Sequence, residues 1–451
     1  MSVRYILGRS GSGKTHYIFN DIKDKLREKE DIARILIVPE QFTFQTQKDL
    51  INFLNQKGIM AVEILSFQRL AFRIFEELGP PREKFLGELG RNMVLSKVID
   101  DISEELKIYH KSVKQPGFMQ NLGDMICEFQ QYDVRPTDLL EKKEFIKDRP
   151  ILEAKINDLF LIYQNFNNYI KEKYITSQET LDLLAQKIGD SNFLENAYIW
   201  IDGFYGFTPQ QYRILTGLFK KAKEVSISLT LDPRGDLYQP FDETDPFYES
   251  RRTMDKLNKL TAFYNIALEK PVKLYNEKEP GINNKELYHL EKEYFNYPVQ
   301  VYENKTEYIK LFVASNPYSE LEHTARLILE FVRDKGYRYR EIAVVTGKIS
   351  QYQKLIEAIF KEYNIPFFID EKKDILSHPL IELIRAALEI LNSNWSYESV
   401  FRYLKTGFTG IAMEDVDLLE NYVLAYGIKG ISKWTKEDWK IIKEDFEDEL
   451  Q

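Results

Sequence analysis

The chain has 451 residues, which is too long for one ordinary domain and predicts two or three domains that each bury a core. With 43% hydrophobic and 29% charged residues and no apolar run of about 18 residues, it is not expected to span a membrane. A net charge of -9 excludes a surface that is basic throughout, but it leaves room for a local groove for nucleic acid.

The N-terminus lacks the apolar core of a signal peptide, so we expect a cytoplasmic protein. The single cysteine, Cys127, falls in a predicted helix and excludes a disulfide framework or a multi-cysteine metal site in this chain. We expect it to be a buried structural thiol. The five histidines show no pair at metal-binding spacing.

The first 65 residues alternate between short apolar runs and amphipathic helical patterns. Strands are predicted at residues 3–7, 33–39 and 60–65, and helices at 14–29 and 47–58. This alternation predicts an α/β fold with a buried parallel sheet.

The middle of the chain is predicted to be helical, and strand signals return at residues 196–204 and 224–232. We therefore expect one sheet domain, 1–75 and 192–264, split around a helical insertion at 76–191. A charged connection, 265–305, leads to a second lobe, 306–451.

The second lobe is predicted to contain strands at residues 309–315, 341–347 and 365–369, followed by helices and a charged helix at 444–450. These few strands do not make a covered sheet. We therefore expect the chain to be the N-terminal piece of a longer polypeptide.

The stretch GRSGSGKT lies between the first predicted strand and helix, which is the context that a phosphate-binding loop requires. In such a loop, backbone N–H groups surround a phosphate, the lysine neutralises its oxygens and the hydroxyl residue binds Mg²⁺. The sequence therefore predicts an ATP and Mg²⁺ site whose residues are Gly8, Ser10, Gly11, Ser12, Gly13, Lys14 and Thr15.

ATP hydrolysis also needs an acidic residue for the metal and a second acid for the attacking water. The strand YIWI leads into Asp202, which we predict to bind the nucleotide's Mg²⁺; the alternative is an ordinary Asp-Gly turn. The next residue, Gly203, cannot act as a base. We therefore predict that the site holds ATP and turns it over poorly, unless Asp232 replaces the missing acid.

Two further segments follow the second and third predicted strands, where such sheets present ligand-binding loops. They predict a single-stranded DNA groove in which Thr43 and Ser66 contact phosphates, Phe44 and Phe67 stack on bases, and Arg69 supplies a cation. The alternative is that both phenylalanines are core residues and Arg69 lies on a solvated helix face.

These motifs, PEQFTFQ, ILSFQRLAFRIF and WIDGFYGFTPQQ together with the N-terminal phosphate loop, resemble the AddB family and, more broadly, superfamily 1 DNA helicases. The second lobe is similar to the second helicase-like lobe of that family. The resemblance covers the whole chain and implies a RecA-like first domain and an incomplete RecA-like second lobe.

The resemblance also implies a function in resecting DNA double-strand breaks for homologous recombination. The implied partners are an AddA-like motor subunit in a heterodimer, and single-stranded and double-stranded DNA ends, with no membrane. It further implies recognition of Chi sequences by a lobe that is not a motor. A nuclease domain with an iron-sulfur cluster is implied only for the full-length subunit.

Three other functions stay open at this point: an active superfamily 1 helicase, a small-molecule kinase using the same loop, and a scaffold that binds no nucleotide. Turnover that DNA stimulates would favour the first. The two-lobed layout fits the second poorly.

Overall fold

The computed structural model describes residues 1–28, 32–58, 61–112, 115, 117–141, 149–234, 236–237, 240–275, 284–370, 375–435 and 439. These fall into two units, 1–310 and 311–451. The predicted helix at 444–450 and the predicted strand start at Met60 lie outside the described residues. No helix in the described part of the chain combines the length and apolarity needed to cross a membrane.

The described strands all belong to unit 1. They are β1 Ser2–Gly8, β2 Arg34–Ile37, β3 Glu63–Leu65, β4 Lys84–Leu86, β5 Tyr174–Thr176, β6 Tyr198–Ile201, β7 Glu224–Thr230, β8 Ala267–Leu268 and β9 Val272–Lys273.

The helices of unit 1 are α1 Lys14–Lys25, α2 Thr43–Leu54, α3 Phe67–Leu78, α4 Glu88–Asp101, α5 Phe118–Gln131, α6 Pro136–Glu141, α7 Pro150–Ile170, α8 Ser177–Lys187, α9 Pro209–Lys221, α10 Tyr248–Phe263 and α11 Lys285–Glu293. Those of unit 2 are α12 Pro317–Arg333, α13 Ile349–Glu362, α14 Pro379–Asn392, α15 Tyr397–Leu404, α16 Met413–Tyr426 and α17 Ile431–Thr435.

The main sheet has the order β3-β2-β6-β7-β1-β8, with β9 also paired to β1, and its strand pairs are parallel. The predicted α/β fold with a parallel sheet is therefore confirmed. Strands β8 and β9 extend this sheet beyond the strands that the apolar pattern predicted.

Both faces of the main sheet are buried, as a parallel sheet requires. Alternate residues of β6 enter opposite cores: Ile199 and Ile201 pack on one side, and Tyr198 and Trp200 on the other, against α1. The Asp21 carboxylate of α1 accepts hydrogen bonds from Arg4 of β1 and from the Trp200 indole, each at 2.7 Å. These bonds fix α1 against the sheet.

The helical insertion has its own apolar core, formed largely by α4, α5 and α7, and it also contains the short parallel pair β4 and β5. The buried Asp158 of α7 accepts the backbone N–H groups of Lys107, Ile108 and Tyr109 at 2.7–3.0 Å. Cys127 lies in α5 as predicted and is partly rather than fully buried, and this burial raises the pKa of its thiol.

None of the described residues after β9 belongs to a strand, so the three strands predicted at 309–315, 341–347 and 365–369 are wrong. These segments have almost no regular secondary structure, and the side chains of Leu311, Val345 and Phe368 are largely exposed. An apolar run becomes a strand only when a neighbouring segment pairs with its backbone, and no described segment does so here. The buried residues of unit 2 pack mainly between helices, as in the pair α12 and α13.

Candidate functional site

The phosphate loop connects β1 to α1, as the motif requires. A Cβ atom at Gly8 would lie 2.1 Å from Oγ of Ser12, whose residue is completely buried, so only glycine fits at this close approach. The Lys14 Nζ donates to the carbonyl oxygens of Gly8 at 2.9 Å and of Arg9 at 2.8 Å. The lysine amine therefore contacts the backbone of its own loop.

Asp202 follows β6 and faces the first turn of α1. Its backbone N–H donates to the carbonyl of Ile37 at 3.0 Å, which continues the pairing of β6 with β2 by one residue. Its carboxylate accepts a hydrogen bond from the Thr15 hydroxyl at 2.7 Å and a second from Ser228 of β7. The structure therefore brings together the two residues predicted to bind Mg²⁺.

A cavity of about 390 Å³ opens beside this pair. Its lining residues are Ser10, Gly11, Gly13, Lys14, Thr15, Asp202, Gly203, Phe204, Tyr205, Ser228 and Thr230. The lining thus combines a lysine amine, hydroxyl groups and loop glycines with a single acidic side chain. Lysine, backbone N–H and hydroxyl groups are the donors that phosphate oxygens require.

The oxygen atoms of Thr15 and Asp202 are the hard ligands that Mg²⁺ prefers, and Mg²⁺ usually completes its coordination with water and substrate phosphates. The donor set therefore fits a nucleotide-bound Mg²⁺ ion. Across the described residues, no group of three or more His, Cys, Asp or Glu side chains could hold a metal ion by itself.

The residue after Asp202 is a glycine and supplies no acidic side chain. Gly203 has φ +81°, and a Cβ atom there would lie 3.3 Å from Cδ of Pro39. Asp232, the predicted substitute, lies 3.6 Å from Arg9 in an ion pair and lines a neighbouring cavity of about 380 Å³. Among the described side chains that line the loop's own cavity, Asp202 is thus the only carboxylate.

The predicted DNA contacts lie at the same edge of the sheet, beyond the paired strands β2 and β3. Glu40, which is not one of the predicted contacts, connects several of them. Its carboxylate accepts the Ser66 hydroxyl and pairs with Arg69, with Nε and Oε1 3.0 Å apart. Its backbone carbonyl accepts the Thr43 hydroxyl at 3.0 Å.

Burial divides these five predicted contacts into two groups. Thr43, Ser66 and Phe67 are each only 4% exposed, and the Phe67 ring packs edge-on against Phe204. Ser66 is also the N-cap of α3, where its hydroxyl accepts the backbone N–H of Arg69. By contrast, the side chain of Arg69 is 55% exposed and Phe44 is 76% exposed on α2.

Two polar contacts of the site had a weak signal in the sequence. Ser228 lies in the strand EVSISLT, where a serine in an otherwise apolar run can mark a buried hydrogen bond. Glu40 lies three residues after the end of β2, at the edge where ligand loops gather. Its partners Ser66 and Arg69 lie 26 and 29 residues further along the chain.

Comparison with protein families identifies the family of the chain. The family described as ADDB, N-terminal, matches residues 5–291, which include the phosphate loop, Asp202 and both loops after β2 and β3. The chain belongs to the AddB N-terminal family. A second family, described as the UvrD-like helicase C-terminal domain, matches residues 273–451. The helicase-like character of both parts of the chain is thereby established.

Similar proteins are each named as the B subunit of an ATP-dependent helicase/deoxyribonuclease. The protein from Clostridium tetani is 44% identical over 447 residues, which cover 97% of this chain and 38% of the relative. Those from Thermoanaerobacter sp. (strain X514) and Acetivibrio thermocellus are 45% and 44% identical over 442 and 448 residues, each covering 98% of this chain. The chain spans 38% and 39% of the length of these two relatives.

Proposed function

We propose that this chain is the helicase-like N-terminal region of a subunit that resects DNA double-strand breaks for homologous recombination. In this function it holds ATP and Mg²⁺ at the phosphate loop, binds single-stranded DNA beside it and does not act as a motor. One observation carries the proposal: the loop and the Thr15–Asp202 pair are intact, while Gly203 follows where a motor needs its catalytic acid.

The loop residues have separate tasks in nucleotide binding. The Lys14 amine exchanges the carbonyl oxygens of Gly8 and Arg9 for phosphate oxygens, and the loop N–H groups bind the remaining oxygens. Thr15 and Asp202 would hold Mg²⁺, which would neutralise phosphate charge. Ser228 keeps the Asp202 carboxylate oriented toward α1.

Hydrolysis requires a group that positions or deprotonates the attacking water. Gly203 has no side chain, and Asp232 is paired with Arg9 at the neighbouring cavity. Bound ATP is therefore expected to persist, so that it stabilises the lobe without driving movement along DNA.

Single-stranded DNA is proposed to follow the edge formed by the ends of β2 and β3. The exposed Phe44 offers a stacking surface for a base, and Arg69 a cation for a phosphate. The buried Thr43, Ser66 and Phe67 support this surface from below. A Cβ atom placed at Gly203 would contact Pro39, which precedes Glu40, so the DNA edge adjoins the nucleotide cavity.

The similar proteins are named as one subunit of a helicase/deoxyribonuclease, so we further propose an AddA-like motor partner in a cytoplasmic heterodimer acting on DNA ends. We propose that the helicase-like region of this chain recognises Chi sequences on the single strand. Nuclease activity and an iron-sulfur cluster are proposed only for a full-length subunit; the chain spans 38% of the Clostridium tetani relative, whose name includes a deoxyribonuclease.

Titration of the 451-residue chain with ATP and Mg²⁺ by calorimetry, followed by a steady-state hydrolysis assay, tests this proposal. Lys14→Ala should abolish binding, while Lys48→Ala, which removes an exposed lysine of α2, should leave it unchanged. No turnover is expected with or without single-stranded DNA. Absence of ATP binding by the unaltered chain would favour a scaffold, and DNA-stimulated turnover would favour an active superfamily 1 helicase.

A further inference from the structure

Arg9 belongs to the phosphate loop, but its side chain does not line the loop's cavity. It lies 89% buried at the neighbouring cavity, where Nε is 2.6 Å from Oε1 of Glu291 and Nη2 donates to the Glu291 carbonyl at 2.7 Å. Nη1 of Arg9 lies 3.6 Å from Oδ2 of Asp232, and Cζ of Arg9 lies 5.6 Å from the centre of the Phe247 ring. Arg9 therefore connects the loop to α11, 282 residues away in sequence.

Helix α11 in turn holds the chain that follows it. The buried Glu286 carboxylate accepts the backbone N–H groups of residues 307–309 at 2.8–3.3 Å. At the middle and end of the helix, His289 contacts the Gln300 carbonyl at 2.8 Å and Glu293 accepts the Asn296 amide at 3.4 Å. Residues 294–309 are thus tied to α11 at several points.

The backbone of Arg9 also contacts Lys14 of the phosphate loop. Its carbonyl oxygen accepts the Lys14 amine at 2.8 Å. When Lys14 turns to a phosphate, this carbonyl loses that donor, and the side-chain contacts with Glu291 remain to hold Arg9 in place. A loop that is held in its binding conformation loses less entropy when a ligand arrives.

We propose that Arg9 is a positioning residue for the phosphate loop, through which ATP binding and the docking of α11 with residues 294–309 stabilise each other. This inference rests on the proposed ATP binding. The coupling is reciprocal, because two equilibria that share one contact must shift each other by the same factor. Breaking the Arg9–Glu291 contact should therefore weaken ATP binding although neither side chain lines the nucleotide cavity.

The test compares the unaltered chain with Glu291→Gln, Arg9→Lys and Asp255→Asn. Glu291→Gln removes the charge that pairs with Arg9, and Arg9→Lys keeps the positive charge but cannot reach both Glu291 oxygens. Asp255→Asn is the control, because it neutralises a carboxylate in the exposed pair with Lys259 on α10. Circular dichroism of each variant confirms folding before titration.

We expect Glu291→Gln to weaken binding of ATP with Mg²⁺ by about fivefold or more, and Arg9→Lys to retain part of the affinity. The control should bind as the unaltered chain does. In hydrogen exchange, ATP should increase the protection of residues 294–309 in the unaltered chain but not in Glu291→Gln. A merely structural contact would not produce this ATP-dependent protection.

Three results would overturn the inference, and they are distinguishable. Equal ATP affinity of Glu291→Gln and the unaltered chain, or unchanged exchange at residues 294–309, would reject the coupling and leave ATP binding standing. Failure of the unaltered chain to bind ATP would reject both the proposed nucleotide site and the coupling built on it.

Discussion

The substitution Gly203→Glu adds the acidic side chain that the nucleotide site lacks in the proposed function. Gly203 has φ +81°, a left-handed conformation that costs a residue with a side chain about 1–3 kcal/mol. The added Cβ would also lie 3.3 Å from Cδ of Pro39, closer than an ordinary contact. We therefore expect a loss of about 1–3 kcal/mol in the free energy of unfolding, with no gain of ATP hydrolysis.

The absence of activity follows from the same backbone geometry. Position 203 lies in the turn that follows Asp202. A glutamate introduced there would have to reach the cavity lined by Lys14 and Thr15 from the backbone of this turn. Since the first atom of the new side chain would lie 3.3 Å from Cδ of Pro39, the turn or Pro39 would have to shift by a few tenths of an ångström. Catalytic groups tolerate displacements of only a fraction of an ångström, so the new acid should remain ineffective.

Urea unfolding of unit 1, monitored by circular dichroism, measures the change in the free energy of unfolding. Release of inorganic phosphate measures ATP hydrolysis. Gly206→Ala is the matched control, because its Cβ would meet only Oγ1 of Thr253, at an ordinary 3.4 Å. Gly203→Ala should be destabilised relative to this control. A Gly203→Glu variant as stable as the unaltered chain, with DNA-stimulated hydrolysis, would refute the reasoning.

Three further predictions concern buried acids and the DNA edge. Asp158→Ala should destabilise the helical insertion by roughly 3 kcal/mol in urea unfolding, because three backbone donors lose a charged acceptor, whereas the exposed Asp100→Asn should change stability little. Burial alone would raise the pKa of Glu286, but its three backbone donors outweigh it and hold the pKa below its usual value. The stabilising effect of the Glu286 carboxylate is therefore complete above the unfolded pKa of about 4 and is lost as pH falls through the lower folded pKa. The hydrogen-exchange protection of its three backbone donors should fall over the same pH range, and this pH dependence should disappear in Glu286→Gln. Phe44→Ala should weaken single-stranded DNA binding by about 1–3 kcal/mol in fluorescence anisotropy, whereas Ser66→Ala should chiefly cost about 1 kcal/mol of stability as a lost helix cap; equal effects on DNA binding would contradict the proposed edge.

The first sheet was predictable because its signals are local. Each strand is a short apolar run next to an amphipathic helix, and both faces of a parallel sheet are buried, so pattern and environment agree. The phosphate loop was predictable for the same reason, since its glycines, lysine and threonine are consecutive. Asp202 could be added because parallel strands end at one edge of the sheet.

The remaining features depend on contacts between distant parts of the chain. The segments at 309–315 and 341–347 are apolar enough for strands, yet strand formation needs a partner that the pattern of one segment cannot reveal. The ring of Phe67 could face DNA or the core on sequence grounds, and its packing on Phe204, far along the chain, decides its place. The link between Arg9 and Glu291 left no local pattern at all.

In the proposed function, the phosphate loop holds ATP without turning it over. The most direct measurement is steady-state ATP hydrolysis by the 451-residue chain with Mg²⁺, with and without single-stranded DNA at low salt, on protein whose ATP binding has been measured in parallel. The account predicts ATP binding that Lys14→Ala abolishes, and no turnover above background in either condition. DNA-stimulated turnover that Lys14→Ala abolishes would contradict it and identify a working motor site.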